Sequence, residues 1–276
     1  MTAAFVGTFA GVFGLAIGSF LNVVAYRVPA GLSVVRPPSA CPGCHAEIRG
    51  RDNIPVLSWL LLGGRCRDCR MRISPRYPIV EAATGLAFVL VALFFAPAIA
   101  RAETGLELAA AIVTLVGFLY LAAISVVLAI IDLDVHRLPD PIVLPAYLVG
   151  AATLTTAALL AGQPERLLTA AIGGAAMFVF YGLLALVYPG GMGLGDIKLS
   201  GVFGLYLGFL GWAQLAVGAA AAFVLGGVFG IVLLITRRAG GKTRIPFGPW
   251  MILGAWIGIA AGPPIAAGYL NLVGLG

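Results

Sequence analysis

Gly193-Leu194-Gly195-Asp196 is a polar break between two long apolar runs, about 167–188 and 199–235. A carboxylate at that depth costs several kcal/mol unless it is partnered or watered, so Asp196 is a functional candidate by its setting alone. The stretch decides the fold because its flanks are each long enough to cross a bilayer, which takes about 20 apolar residues. A second acid has the same setting. Asp132 follows the apolar run Leu106 to Ile131, and Asp134, His136 and Asp140 lie just beyond it.

The whole composition agrees with a membrane setting. The chain has 276 residues, 61% hydrophobic and only 10% charged, where a soluble domain carries about 25% charged residues. Mean hydropathy is +1.05. The 38 glycines suit close helix packing in lipid. The reading is an all-α polytopic membrane protein with about eight transmembrane helices. A signal peptide would start with a positive segment, but no Lys or Arg precedes Arg27. Residues 3–26 are therefore expected to stay as the first span.

Further spans are expected at 79–100, 106–131, 141–161 and 167–188, then two short ones within 199–235 broken near Gly211, and a last one at 247–269. Trp212 would anchor an interface, and Asp140-Pro141 reads as a helix N-cap followed by proline at the first position. An unbroken helix over 199–235 would give seven spans and turn the last basic loop outward. With eight spans, one face receives the segments 27–78, 132–140, 189–198 and 236–246, which hold 15 of the 17 Lys and Arg residues. The positive-inside rule places that face in the cytoplasm, with both acids on it. The net charge of +6 then reflects orientation rather than nucleic-acid binding. Some of the arginines could meet anionic lipid head groups. The domains follow: 1–26 a first transmembrane helix, 27–78 a cytoplasmic loop, 79–276 a membrane-embedded region.

All four cysteines lie in the loop, as Cys41-Pro42-Gly43-Cys44 and Cys66-Arg67-Asp68-Cys69 with 21 residues between the pairs. Two C-x-x-C knuckles at this spacing suit a closed tetrahedral zinc site. A reducing cytoplasm disfavours disulfides. Redox chemistry is the competing reading, and His45 is a possible substitute ligand. So small a loop cannot build a large core, so metal would supply folding free energy.

Two carboxylates a few ångströms apart cannot both ionise easily. One keeps a proton and serves as acid while the other acts as base toward a shared water. The alternatives are structural: Asp132 could cap a helix or pair with Arg137, and Asp196 could be an N-cap or pair with Lys198. Asp134 competes with Asp132 on residue type alone. Glu81, where the second span begins, could anchor that end or meet substrate.

Seven further segments carry a resemblance. They are Gly18-Ser19-Phe20-Leu21-Asn22-Val23-Val24, the double C-x-x-C, Asp52-Asn53-Ile54-Pro55-Val56-Leu57-Ser58-Trp59, Ile73-Ser74-Pro75-Arg76-Tyr77-Pro78-Ile79-Val80-Glu81, Ile131-Asp132-Leu133-Asp134 with Leu138-Pro139-Asp140, the Gly193–Asp196 turn and Ile245-Pro246-Phe247-Gly248-Pro249. In this order they resemble the type IV prepilin peptidases, GxGD aspartic membrane proteases. The resemblance spans nearly the whole chain. It implies Asp132 and Asp196 as the catalytic pair, since the family's first aspartate stands seven positions before the proline that matches Pro139. It implies a substrate-positioning role for Gly193, Gly195, Pro246, Gly248 and Pro249, and a metal role for Cys41, Cys44, Cys66 and Cys69. It further implies cleavage of the basic leader of prepilins or pseudopilins after a glycine, at the cytoplasmic face of a bacterial inner membrane. N-methylation of the new terminus from S-adenosylmethionine would follow. Competing readings are a peptidase with a merely bracing zinc loop, a proton-coupled transporter, and a zinc-bearing scaffold without catalysis. The sequence leaves oligomeric state and the residues that hold the methyl donor open.

Overall fold

A computed structural model describes residues 2–188, 192–236 and 246–275. Most of the expected basic loop 236–246, and residues 189–191 of the glycine-rich turn, lie outside the described residues. Among the described residues there are helices, one short 3-10 turn and two isolated antiparallel bridges, with no strand. The long helices are α1 (Thr2–Arg27), α3 (Arg76–Arg101), α4 (Gly105–Val135), α5 (Asp140–Leu160), α6 (Glu165–Val187), α7 (Leu194–Leu210), α8 (Trp212–Ile235) and α9 (Gly248–Leu272); α2 (Leu57–Leu61) is a single short turn in the loop after α1. Seven of these are long and apolar enough to cross a membrane, which makes the chain a multi-pass membrane protein. The expected count of eight differs by α7 alone. At 17 residues it reaches only about 26 Å.

The chain divides into two units, Met1–Ile131 and Asp132–Gly276. In the first, α1 pairs with α3. The buried stripe of α1 is Gly7, Ala10, Gly14, Gly18, Leu21 and Val24, a small-residue seam of the kind that lets helices in lipid approach closely. At Gly18 a Cβ would come within 2.7 Å of the Glu81 Cα, so only glycine lets α3 pass there. The Asn22 amide then donates to the Tyr77 carbonyl at 3.2 Å. α4 joins through Phe118, whose ring lies 4.8 Å from that of Phe95.

In the second unit α7 is the inner helix, with 11 of its 17 residues buried. It packs on α5, α6, α8 and α9. Gly173 and Gly204 oppose each other where α6 meets α7: a Cβ on Gly173 would lie 2.6 Å from the Gly204 carbonyl oxygen. The break expected near Gly211 is present. Gly211 has φ 141°, a conformation that a residue with a Cβ rarely adopts, and it separates α7 from α8.

Two boundaries differ from the sequence reading. α4 continues four residues past Ile131, carrying Asp132 inside the helix, and stops at His136, which has φ 51°. α7 begins at Leu194, so Asp196 stands in a first helical turn rather than in a glycine-rich turn ahead of the helix or at its N-cap. A third difference is at α5, where Pro139 is the N-cap and Asp140 is already helical. The Asp140 carboxylate is instead held by Lys198, with Nζ 2.8 Å from each oxygen.

Candidate active site

Asp132 and Asp196 belong to the second unit, and both approach backbone N–H groups. Asp132 is 5% exposed, and its Oδ2 accepts the N–H of Gly248 at 3.1 Å. A Cβ on residue 248 would lie 2.6 Å from that oxygen, so glycine is what allows the carboxylate to reach the first turn of α9. This N–H has no partner within its own helix, and a carboxylate suits that end of the helix dipole. Asp134, the competitor by residue type, is exposed.

Asp196 sits at the third position of α7. Its Oδ2 accepts the N–H of Gly193 at 3.0 Å, and its own N–H donates to the Gly193 carbonyl at 3.1 Å. Its Oδ1 is buried and has no hydrogen-bond partner. The structural alternative of an Asp196–Lys198 pair is not what forms, because Lys198 is taken by Asp140. Gly195 faces the segment after α4: a Cβ there would lie 2.8 Å from the Leu138 Cβ. The start of α7 thus rests on the segment that follows Asp132. The two aspartates lie close enough to interact electrostatically. Of the other expected site residues, Pro249 is the second residue of α9 and Pro246 lies two residues ahead of that helix.

The four cysteines come together in the first unit. Cys41 Sγ is 3.7 Å from Cys69 Sγ, and Cys44 Sγ is 4.0 Å from Cys66 Sγ. All four sulfurs lie within 4.8 Å of one another. A tetrahedron of Zn–S bonds about 2.3 Å long has sulfur–sulfur edges of about 3.8 Å, so the donor set fits a zinc ion. Disulfide sulfurs would be about 2.0 Å apart. The two knuckles are built alike. Each is closed by an antiparallel bridge, Ala40 with Glu47 and Arg65 with Arg72. In each, the residue four after the first cysteine is left-handed, His45 at φ 58° and Arg70 at φ 60°. His45 therefore occupies a turn position and is outside the four-sulfur group. Backbone N–H groups of Cys44 and Gly43 aim at the Cys41 sulfur and hold its thiol down to about 6. The Met71 N–H acts the same way on Cys69, but burial and the neighbouring sulfurs outweigh it and push that thiol up to about 12. The first thiolate of the set is thus ready near neutral pH. Beside the knuckles, Arg67 forks onto Asp52 at 2.6–3.0 Å and holds its carboxyl below the usual range.

Sequence reasoning left Glu81 open. It is 8% exposed, and its Oε2 accepts the Val56 N–H at 2.6 Å. Val56 has φ 62°, a strained conformation for a β-branched residue, and the Glu81 carboxylate is what grips it. Both line a cavity of about 640 Å³ in the first unit, together with Asn22, Tyr26 and Trp59. Trp59 is fixed by a hydrogen bond from Nε1 to the Ile73 carbonyl at 3.1 Å. Sequence reasoning did not single out Trp59 or Asn22 for a role, although both lie within the motifs that carried the resemblance.

Comparison with known proteins covers the same two regions. Residues 12–95 match the bacterial peptidase A24 N-terminal domain, and residues 119–231 match the type IV leader peptidase family. A prepilin leader peptidase/N-methyltransferase of Stutzerimonas stutzeri is 34% identical over 96% of this chain and 93% of the relative. A protein of the same name from Bacillus subtilis (strain 168) is 30% identical over 95% of this chain and 96% of its own length. A type 4 prepilin-like proteins leader peptide-processing enzyme of Escherichia coli O78:H11 is 36% identical over 87% of this chain and 88% of its own. No solved structure matches. With matches over nearly its full length to proteins of this kind, the chain belongs to the type IV leader peptidase family.

Proposed function

We propose that this protein cuts the short basic leader from type IV prepilins or pseudopilins and then N-methylates the terminus it exposes. Hydrolysis falls to Asp132 and Asp196. The observation that carries this reading is that the buried Asp132 and the half-buried Asp196 each have one oxygen tied to a glycine N–H, with Oδ1 of Asp196 buried and unpaired. That arrangement leaves the other oxygens for a water and a peptide. One carboxylate takes a proton from the water as it attacks the peptide carbonyl. The other donates a proton to the leaving amine. Glycines at 193, 195 and 248 keep side chains out of the approach. Family membership and the relatives' names support the substrate class.

The excess of Lys and Arg on one set of loops supports placing both regions at the cytoplasmic face of a bacterial inner membrane. A leader that stays in the cytoplasm would be cut there. The cysteine loop, read as a zinc site, forms a cytoplasmic domain at 27–78, between a first helix at 1–26 and a peptidase region at 79–276. S-adenosylmethionine would supply an electrophilic methyl group for the freed amine. Glu81, Asn22, Tyr26 and Trp59 around the 640 Å³ cavity would hold it. A buried carboxylate with aromatic walls suits a cationic nucleoside.

The test is cleavage of a prepilin-like substrate by purified protein in detergent, with mass spectrometry of the product. Wild type should release the leader and, with methyl donor added, give a product heavier by one methyl group. Asp132→Asn and Asp196→Asn should leave the substrate whole. Cleavage by both variants would remove the aspartate pair from the mechanism.

A further inference from the structure

Among the described residues of the second unit, Asp196 Oδ1 and the Tyr181 hydroxyl are buried without a hydrogen-bond partner. A buried polar atom left unpaired is costly, so it calls for a partner that the fold itself does not provide. Tyr181 is 0% exposed and stands on α6. The register of α6 against α7 is set by neighbouring contacts. Ser200 Oγ donates to the Met177 carbonyl at 3.3 Å, and a Cβ on Gly182 would lie 3.9 Å from Ile197 Cγ2. The stretch around Tyr181 therefore runs beside the first turn of α7, where Asp196 stands. The Tyr181 hydroxyl and the Asp196 carboxylate interact electrostatically.

The ring of Tyr181 faces the other aspartate's support. Its centroid lies 5.3 Å from that of Phe223 and 6.0 Å from that of Phe247. Phe247 immediately precedes Gly248, whose N–H holds Asp132. Tyr181 is thus placed between the first turn of α7, which carries Asp196, and the segment whose Gly248 N–H holds Asp132. The aromatic cage would be filled equally well by phenylalanine. The hydroxyl is the one part of this side chain that packing does not explain.

We propose that Tyr181 is a positioning residue of the aspartate site. Its O–H binds the water that Asp196 Oδ1 handles, and so fixes the free oxygen of that carboxylate. Asp196 Oδ2 is already tied to Gly193. A second donor at Oδ1 sets the plane of the carboxylate and with it the direction from which water is activated. This assignment rests on the peptidase reading.

The experiment is Tyr181→Phe, assayed for leader cleavage beside wild type and Asp196→Asn, with melting temperatures for all three and for the double variant. Loss of one oriented hydrogen bond should lower kcat roughly 10- to 100-fold with KM unchanged. The melting-temperature shifts of Tyr181→Phe and Asp196→Asn should fail to add in the double variant, because the two groups share a partner. A kcat equal to wild type, with a raised melting temperature and additive shifts, would overturn the proposal and leave Tyr181 as packing. Cleavage by Asp196→Asn would overturn the peptidase reading itself, and the Tyr181 assignment with it.

Discussion

The cysteine loop and the aspartate site both gather acidic groups at one point, but by opposite means. In the loop each pair of cysteines is three residues apart, and a local turn with a left-handed residue just after the second cysteine closes each knuckle. Only the meeting of the two knuckles is long-range. Two helices, α5 and α6, separate the aspartates along the chain, and neither is aimed by a local turn alone. Asp132 depends on an N–H at residue 248, and Asp196 rests against the loop at Leu138 through Gly195. The first site can be assembled by a ligand that binds its sulfurs. The second must be assembled by helix packing in advance of any substrate. The difference predicts that the loop is the metal-dependent region and the aspartate site the packing-dependent one.

Breaking the chemistry of the second site should have the largest effect. Asp132→Asn and Asp196→Asn should each lower leader cleavage by about 10³-fold or more, with the melting temperature moved by less than about 5 °C. Cysteine replacement should separate the regions most sharply. Cys41→Ser or Cys66→Ser should take bound zinc, measured by mass spectrometry of the metal, from about one per chain to near none. Amide exchange across 39–73 should rise, and methyl transfer should be lost while cleavage persists. Loss of cleavage together with the metal would show that the two regions do not work apart.

Gly248→Ala probes geometry without removing a catalytic group. Alanine is a good helix former, so α9 itself should tolerate it. Its methyl would come within 2.6 Å of Asp132 Oδ2, and cleavage should fall about 100-fold from displacement of the carboxylate. Gly173→Ala acts on packing alone, forcing α6 from α7. It should cost about 1–3 kcal/mol of stability in a detergent unfolding assay. The smallest effect should be at Asp140→Asn. Its ion pair with Lys198 is well exposed, and such pairs are worth less than about 1 kcal/mol.

Much of this was legible in the residues. The long apolar runs, the break near Gly211 and the two C-x-x-C knuckles each carry a signal in the sequence, either hydrophobic length or ligand spacing. The ends of α4 and α7 were less legible. Carboxylates at 132 and 196 read as acids at a membrane edge, outside the apolar runs, but each stands inside a helix with one oxygen on a glycine N–H, one of these 116 residues away. Asp140 reads as a cap for the same reason, yet its charge is taken by Lys198.

Tyr181 and Glu81 show where local reading ends. Tyr181 stands in an apolar run with nothing in its neighbours to mark it. Its hydroxyl matters only because α6 and α7 bring it to Asp196. Glu81 is a plain helix-start acid until the fold sets it against the strained Val56. The sequence by itself determined that the chain spans a membrane, where its helices lie, which cysteines act together and which acids are out of place. Those follow from composition and short-range spacing. The tertiary structure alone decided which oxygen of each aspartate is tied and which is free, what neighbours them, and why residues 195 and 248 must lack a side chain. Such matters depend on the approach of segments far apart in the chain, where a single Cβ decides whether two groups can meet.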